Sequence, residues 1–307
     1  AHRSHPQSPS IVENKTFLDL AEIMENYNYD YTTNETFSDY SAPPCHNHYC
    51  PFFQRVAPPF LAITCAAATL GTGALLVALV KRPHAWGWPQ SRALVAQLAA
   101  GMGLFAILLP PVAAGIGQGW RLGTGLCRLT HLLWHCSLFA QGLLVASGSC
   151  GTVWRRWDRR SLALAVLVWA GALLLATPAA LASGTVVGTE TSCLPRTVSV
   201  LSTTYLLHLS FCLCLFLLLP AVLVGATLAV PQLRASWQPG MGASWLFFGL
   251  WVPHGVGLAV DFLLQTQLLQ PTCGTFKSFD YVLGLGKGLG VLHCCLGPPA
   301  LLAARLC

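Results

Sequence analysis

Phe60-Leu61-Ala62-Ile63-Thr64-Cys65-Ala66-Ala67-Ala68-Thr69-Leu70-Gly71-Thr72-Gly73-Ala74-Leu75-Leu76-Val77-Ala78-Leu79-Val80 runs without a charge and stops at Lys81-Arg82. As a helix rising 1.5 Å per residue, such a run reaches across the roughly 30 Å of hydrocarbon in a bilayer. It is apolar on every face, so no side is left for water. Six more stretches of this kind follow. Seven spans are expected, at about 58–80, 93–116, 127–150, 161–183, 200–228, 243–265 and 280–303. Composition agrees: 54% of the 307 residues are hydrophobic and 9% are charged, against roughly 25% charged in a soluble domain. In lipid each backbone polar group must be satisfied within its own segment, which favours helices. The expected fold is an all-α seven-transmembrane helix bundle over 58–307, preceded by a tail over 1–57.

The charges between spans set the orientation. Lys81, Arg82 and Arg92 flank the first loop, Arg155, Arg156, Arg159 and Arg160 crowd the third, Arg234 lies in the fifth and Arg305 at the end. The alternate loops hold only Arg121, Arg128, Arg196 and Lys277. This bias puts the first set in the cytoplasm and the tail outside. The formal charge of +6 thus serves topology in short clusters, and no basic stripe for nucleic acid is present in the sequence. Pro110, Pro111, Pro178, Pro220, Pro253, Pro298 and Pro299 fall inside spans and read as kinks, because a bundle can re-satisfy the freed carbonyls. The absence of an internal repeat weighs against an inverted-repeat transporter.

From residue 16 to 54 the tail has no Lys or Arg, whereas Asp19, Glu22, Glu25, Asp30, Glu35 and Asp39 are acidic. Tyr27, Tyr29, Tyr31 and Tyr40 lie among or beside these acids. An anionic chain with aromatic rings suits the capture of a basic protein, steering it inward and ordering on contact. The same composition also serves a tail that merely solubilises. Tyrosines beside acids are candidate sulfation sites. Asn14-Lys15-Thr16 and Asn34-Glu35-Thr36 are N-glycosylation acceptors, both on the side assigned to the exterior.

Five of the cysteines lie in or beside predicted outer segments: Cys45, Cys50, Cys127, Cys193 and Cys273. The oxidising exterior favours disulfides there. A Cys127–Cys193 bond would pin the loop after the fourth span across the mouth, and Cys273 has Cys45 and Cys50 as possible mates. In Cys45-His46-Asn47-His48-Tyr49-Cys50 the ligands are closely spaced and the compartment is oxidising, so no metal or other cofactor is expected. Cys65, Cys136, Cys212, Cys214 and Cys294 read as small packing residues.

Polar residues within spans are costly and point to function. They are Gln97, His131, His135, Gln141, His208, His254, Asp261, Lys287 and His293. Asp261 and Lys287 are the candidate charged pair facing the outer cavity, for ligand binding or as a structural ion pair. No spacing matches a catalytic triad, a zincin helix or a phosphate loop, so an enzyme is not expected. A transporter using Asp261, Lys287 and the histidines is a further reading.

Seven spans, an outer N-terminus and a disulfide candidate from span three to the next loop resemble the rhodopsin-like receptors. Trp169, Pro220 and Trp251-Val252-Pro253 fall at that group's landmarks. The tail and the Cys45/Cys273 pair narrow the likeness to chemokine receptors, where a second disulfide joins tail and last outer loop. Ala42-Pro43-Pro44-Cys45-His46, Leu94-Val95-Ala96-Gln97-Leu98-Ala99, Leu108-Leu109-Pro110, Phe139-Ala140-Gln141 and Leu181-Ala182-Ser183-Gly184 carry it further. So do Pro253-His254-Gly255-Val256 through Asp261-Phe262-Leu263 and Leu292-His293-Cys294. On these segments the chain resembles the Duffy antigen/chemokine receptors, a group of atypical chemokine receptors.

That resemblance implies a plasma-membrane receptor that binds inflammatory chemokines of both the C-C and C-X-C classes. It implies uptake, scavenging or transcytosis through endosomes, without productive G-protein coupling. Homo- or hetero-oligomers with other chemokine receptors are a further implied possibility. Signalling receptors place Asp-Arg-Tyr at the inner end of span three, where this chain has Gly151-Thr152-Val153. Their Asn-Pro-x-x-Tyr of span seven reads Gly297-Pro298-Pro299-Ala300-Leu301 here. A signalling receptor with degenerate motifs is the alternative. Lys287 stands where chemokine receptors carry a glutamate facing the ligand's amino terminus, so weaker pocket engagement is expected.

Overall fold

A computed structural model of the chain describes residues 49–82, 89–149, 161–187, 191–195, 202–229, 245–266, 268–269 and 273–306. These form seven membrane-length helical spans, as expected. We label them α1 (Tyr49–Lys81), α2 (Pro89–Gln118), α3 (Gly123–Ser149), α4 (Ser161–Ala182), α5 (Thr203–Ala229), α6 (Trp245–Gln265) and α7 (Cys273–Leu306). A hairpin of β1 (Gly184–Val187) and β2 (Thr191–Leu194) separates α4 from α5.

The first helix begins outside the apolar zone. Its 33 residues give about 50 Å of length, more than a bilayer core requires. It passes through Pro58-Pro59, where the sequence alone suggested a boundary. Beyond them Phe52 and Phe53 meet the Tyr281 ring of α7, at centroid distances of 5.8 and 6.1 Å. This aromatic contact gives the outer turns a partner that hydropathy does not reveal.

Two helices are interrupted inside the bundle. In α5 the α-helical parts Thr203–Leu213 and Leu219–Ala229 flank a π turn over Cys214–Leu218, and the Leu219 amide donates five residues back to the Cys214 carbonyl. Pro220 follows directly and has no amide to offer, so the regular ladder is already broken at this level. In α7 the segments Cys273–Val291 and His293–Leu306 meet at Leu292, whose carbonyl accepts from the amides of Cys295 and Leu296.

Phe105, Phe139, Phe216, Phe248 and Trp251 are almost wholly buried and form the middle of the core. Trp251 stacks on Phe216 with centroids 5.1 Å apart. Its other side lies against Gly290, where an added Cβ would come within 2.6 Å of the indole. At Gly286 a Cβ would meet the His254 backbone at 3.0 Å. Glycine at these positions lets α7 approach α6. Large apolar side chains such as Leu70, Ile107, Leu174 and Leu228 point outward, where lipid is their solvent.

Candidate functional site

The outer mouth is built around the hairpin. Strand β2 presents Cys193, paired in register with Thr185, and Cys193 forms the expected disulfide with Cys127 in the second turn of α3. Further bonds fix the hairpin to the same helix. Thr124 and Thr185 share a hydrogen bond of 2.6 Å between hydroxyls, and the Arg128 Nε donates to the Ser183 carbonyl at 3.3 Å. The Trp120 amide donates to the Thr191 carbonyl at 2.6 Å. Cross-linking and hydrogen bonding therefore hold this loop at the outer end of α3.

Beneath it the polar residues of the spans converge. Asp261 of α6 is buried and accepts a 2.8 Å hydrogen bond from the Tyr205 hydroxyl of α5. Lys287 of α7 takes a different partner: its ammonium lies 5.2 Å from the centre of the Trp134 ring. Trp134 is buried, yet the Lys287 side chain is exposed. A lysine that reaches the bundle interior and remains accessible lines an opening among the helices. The sequence suggested Asp261 and Lys287 as mutual partners, whereas the geometry gives each an aromatic residue from another helix.

Apart from His254, which lies against the Phe216 and Trp251 rings, the remaining polar residues divide into two groups. Gln97 accepts from the Trp169 indole at 2.7 Å, tying α2 to α4. Gln141 donates to Ser137, which donates to the Gly101 carbonyl, tying α3 to α2. His293 lies against Trp251 of α6, with its Nδ1 3.1 Å from the indole nitrogen and 2.7 Å from the Gly290 carbonyl. These are structural bonds between helices. His131, His135 and His208 instead collect along α3 and α5, with His135 and His208 ring centroids 4.3 Å apart and Cys212 Sγ 3.7 Å from His208 Nε2. Sequence reading separated these residues into histidines of interest and packing cysteines. The four-residue spacing of His131/His135 and of His208/Cys212 puts each pair on one helix face and was the available signal.

At the inner end the span-seven segment is packed and apolar. Leu301 is buried in the core. The Cβ of Pro298 would touch a Cβ added at Gly71 of α1, and Gly297 faces the Met102 sulfur of α2 so closely that an added Cβ would stand 2.9 Å from it.

No family model matches the chain. Atypical chemokine receptor 1 of Homo sapiens is 34% identical over 317 residues, covering 98% of this chain and 89% of that receptor. The chain belongs to the atypical chemokine receptor 1 family. The same-named receptor of Papio hamadryas is 33% identical over 99% of this chain and 90% of its own length, and that of Mus musculus 31% over 92% and 85%. The resemblance read from the sequence segments thus holds for family and fold alike. As an atypical chemokine receptor 1 relative with seven spans, the chain is a multi-pass membrane receptor.

Several expected site residues lie outside the described residues of this atypical chemokine receptor family member. They are Asn14, Glu22, Glu25, Tyr27, Tyr29, Asp30, Tyr31, Asn34, Glu35, Asp39, Tyr40 and Cys45 in the tail, and Gly151, Thr152 and Val153 after α3. Cys273 is the first residue of α7.

Proposed function

We propose that this protein is a chemokine-binding receptor of the plasma membrane that captures ligand without passing a signal to G proteins. The observation that carries the second half of this reading is Leu301. A signalling receptor needs a hydrogen-bonding side chain at this point of span seven, and here the position is apolar and buried against the neighbouring helices. Gly151-Thr152-Val153 supports the same conclusion from sequence, because it supplies neither the acid nor the arginine of the usual motif.

Capture begins in the tail. Glu22, Glu25, Asp30, Glu35 and Asp39 attract the basic face of a secreted chemokine, and Tyr27, Tyr29, Tyr31 and Tyr40 add ring contacts that sulfation would reinforce. A Cys45–Cys273 bond would carry the end of the tail to the first turn of α7. Asn14 and Asn34 are its glycan sites. Lys287 at the floor of the opening disfavours the amino group of an incoming chemokine, so binding rests on the tail and the mouth rather than on deep insertion. Such tail-led binding suits ligands of both the C-C and C-X-C classes, and bound ligand is then internalised, scavenged or carried across the cell through endosomes.

A panel of labelled chemokines from both classes, run beside a G-protein activation assay in the same cells, tests the reading. Saturable binding with no G-protein response is expected. A ligand-driven G-protein response would establish a signalling receptor instead. Neutralising Asp30, Glu35 and Asp39 together should weaken binding and flatten its dependence on salt; unchanged affinity would remove the tail from the mechanism.

A further inference from the structure

Among the described residues two groups of metal-ligating side chains come within reach of one ion. Cys127, His131 and Cys193 form the first. Its two sulfurs are bonded to each other, so no thiolate remains and the group is discounted. His135 of α3 with His208 and Cys212 of α5 form the second, and their donor atoms all lie within 4.8 Å of one another. His208 and Cys212 are buried and Cys212 is not in a disulfide.

Four features of this second group fit a metal rather than ordinary packing. The donor set, two imidazoles and a thiol, is that of soft to borderline ions, with zinc the redox-inert member of the class. Tetrahedral zinc holds such donors about 3.3–3.6 Å apart. The Cys212 Sγ to His208 Nε2 distance is 3.7 Å already, so the widest gap needs to close by little more than about 1 Å. His135 also has its tautomer set. Its Nδ1 lies 2.8 Å from the His131 carbonyl, which can only accept, so Nδ1 carries the proton and Nε2 presents its lone pair. That outer hydrogen bond is the usual companion of a ligating histidine. Finally, the π turn begins at Cys214, two residues after Cys212, and gives α5 a point of compliance where a small adjustment is cheap.

We propose that His135, His208 and Cys212 bind a zinc ion that clamps span three to span five, with the fourth position open to water or to a ligand group. Binding releases the Cys212 thiol proton to water, and the thiolate offsets one of the two charges of the ion. Lys287 opposes it by like charge, since its ammonium lies 5.2 Å from the ring of Trp134, the residue next to His135. Affinity is therefore set by a balance between one thiolate and one nearby cation. This inference does not depend on chemokine binding or on the loss of signalling.

The test uses the full chain in nanodiscs, without chemokine. Cobalt(II) replaces zinc as a spectroscopic probe, because its thiolate charge-transfer band reports a Co–S bond directly. The wild-type receptor should show that band at one equivalent and lose it when zinc is added. Cys212→Ser should abolish the band. His208→Ala and His135→Gln should weaken zinc binding by more than about tenfold, since losing a ligand costs more than losing an outer-shell partner. Lys287→Gln should tighten it, and Cys214→Ser, at an exposed cysteine nearby, should change nothing. Absence of the band in wild type, or its persistence in Cys212→Ser, overturns the proposal. The wild-type measurement stands even where a variant folds poorly.

Discussion

The outer mouth and the inner end of span seven are held by different kinds of contact. Outside, directional bonds predominate: the Cys127–Cys193 bridge, the Thr124–Thr185 and Arg128–Ser183 hydrogen bonds, and Tyr205 on Asp261. Inside, Gly71, Met102, Gly297, Pro298 and Leu301 meet through close apolar contact. Directional bonds fix positions where a protein ligand must be met. Close packing of Gly297 and Pro298 against α2 and α1 instead holds the inner end of span seven. The contrast teaches that one bundle can fix its mouth with directional bonds and close the inner end of span seven by contact between small and apolar residues.

The comparison can be broken most sharply at the mouth. Cys193→Ser should cost about 2–5 kcal/mol, at the low end where the inserted spans already restrict the unfolded chain. It should open the hairpin to protease before the spans melt. Equal protease resistance would mean that hydrogen bonds alone hold the loop. Next is Gly290→Val, which forces a side chain into the Trp251 ring and should lower thermal stability by about 1–3 kcal/mol, read as the melting temperature of purified receptor. Tyr205→Phe removes the donor on Asp261 and should cost about 1–2 kcal/mol, because the carboxylate keeps other contacts. Trp169→Phe frees the Gln97 carbonyl and should cost about 1 kcal/mol. The smallest effect sharpens the contrast: a Cβ added at Gly73 would meet nothing within 4 Å, so Gly73→Ala should move stability by no more than about 0.5 kcal/mol. A large loss there would mean that small residues matter along all of α1, rather than at the Gly71–Pro298 contact.

Much of this architecture was legible in the residues. Lipid removes the option of exposed backbone, so hydropathy and flanking charge are enough to mark seven spans and their orientation. Cys127 and Cys193 were a candidate pair among five outer cysteines, and the fold joins them. Features that depend on tertiary neighbours were less accessible. Pro58-Pro59 resembles a helix boundary, and only the Phe52 and Phe53 contacts with Tyr281 explain why the helix continues outward. Pro220 announced a break in α5 without saying that it would take the form of a π turn. The residues Gly184–Leu194 read as a connecting loop, and their pairing as strands depends on being drawn against α3. Lys287 and Asp261 were both recognised as unusual. Their aromatic partners were not, because Trp134 and Tyr205 are ordinary membrane residues until the helices are assembled. The His135, His208 and Cys212 grouping is of the same kind: half of it is visible as a four-residue repeat on one helix, and the rest requires knowing which helices are neighbours.

The bridge between Cys127 and Cys193 also bears on how the receptor is made. The fourth span lies between the two cysteines, which are 66 residues apart in the chain. They reach the same side of the membrane when both the third and the fourth spans have crossed it. If either span fails to insert, one thiol stays in the reducing cytosol and the other faces the oxidising lumen. A chain in which just one of the two spans has crossed therefore cannot close this bond, and during biosynthesis an unpaired Cys127 or Cys193 marks that error.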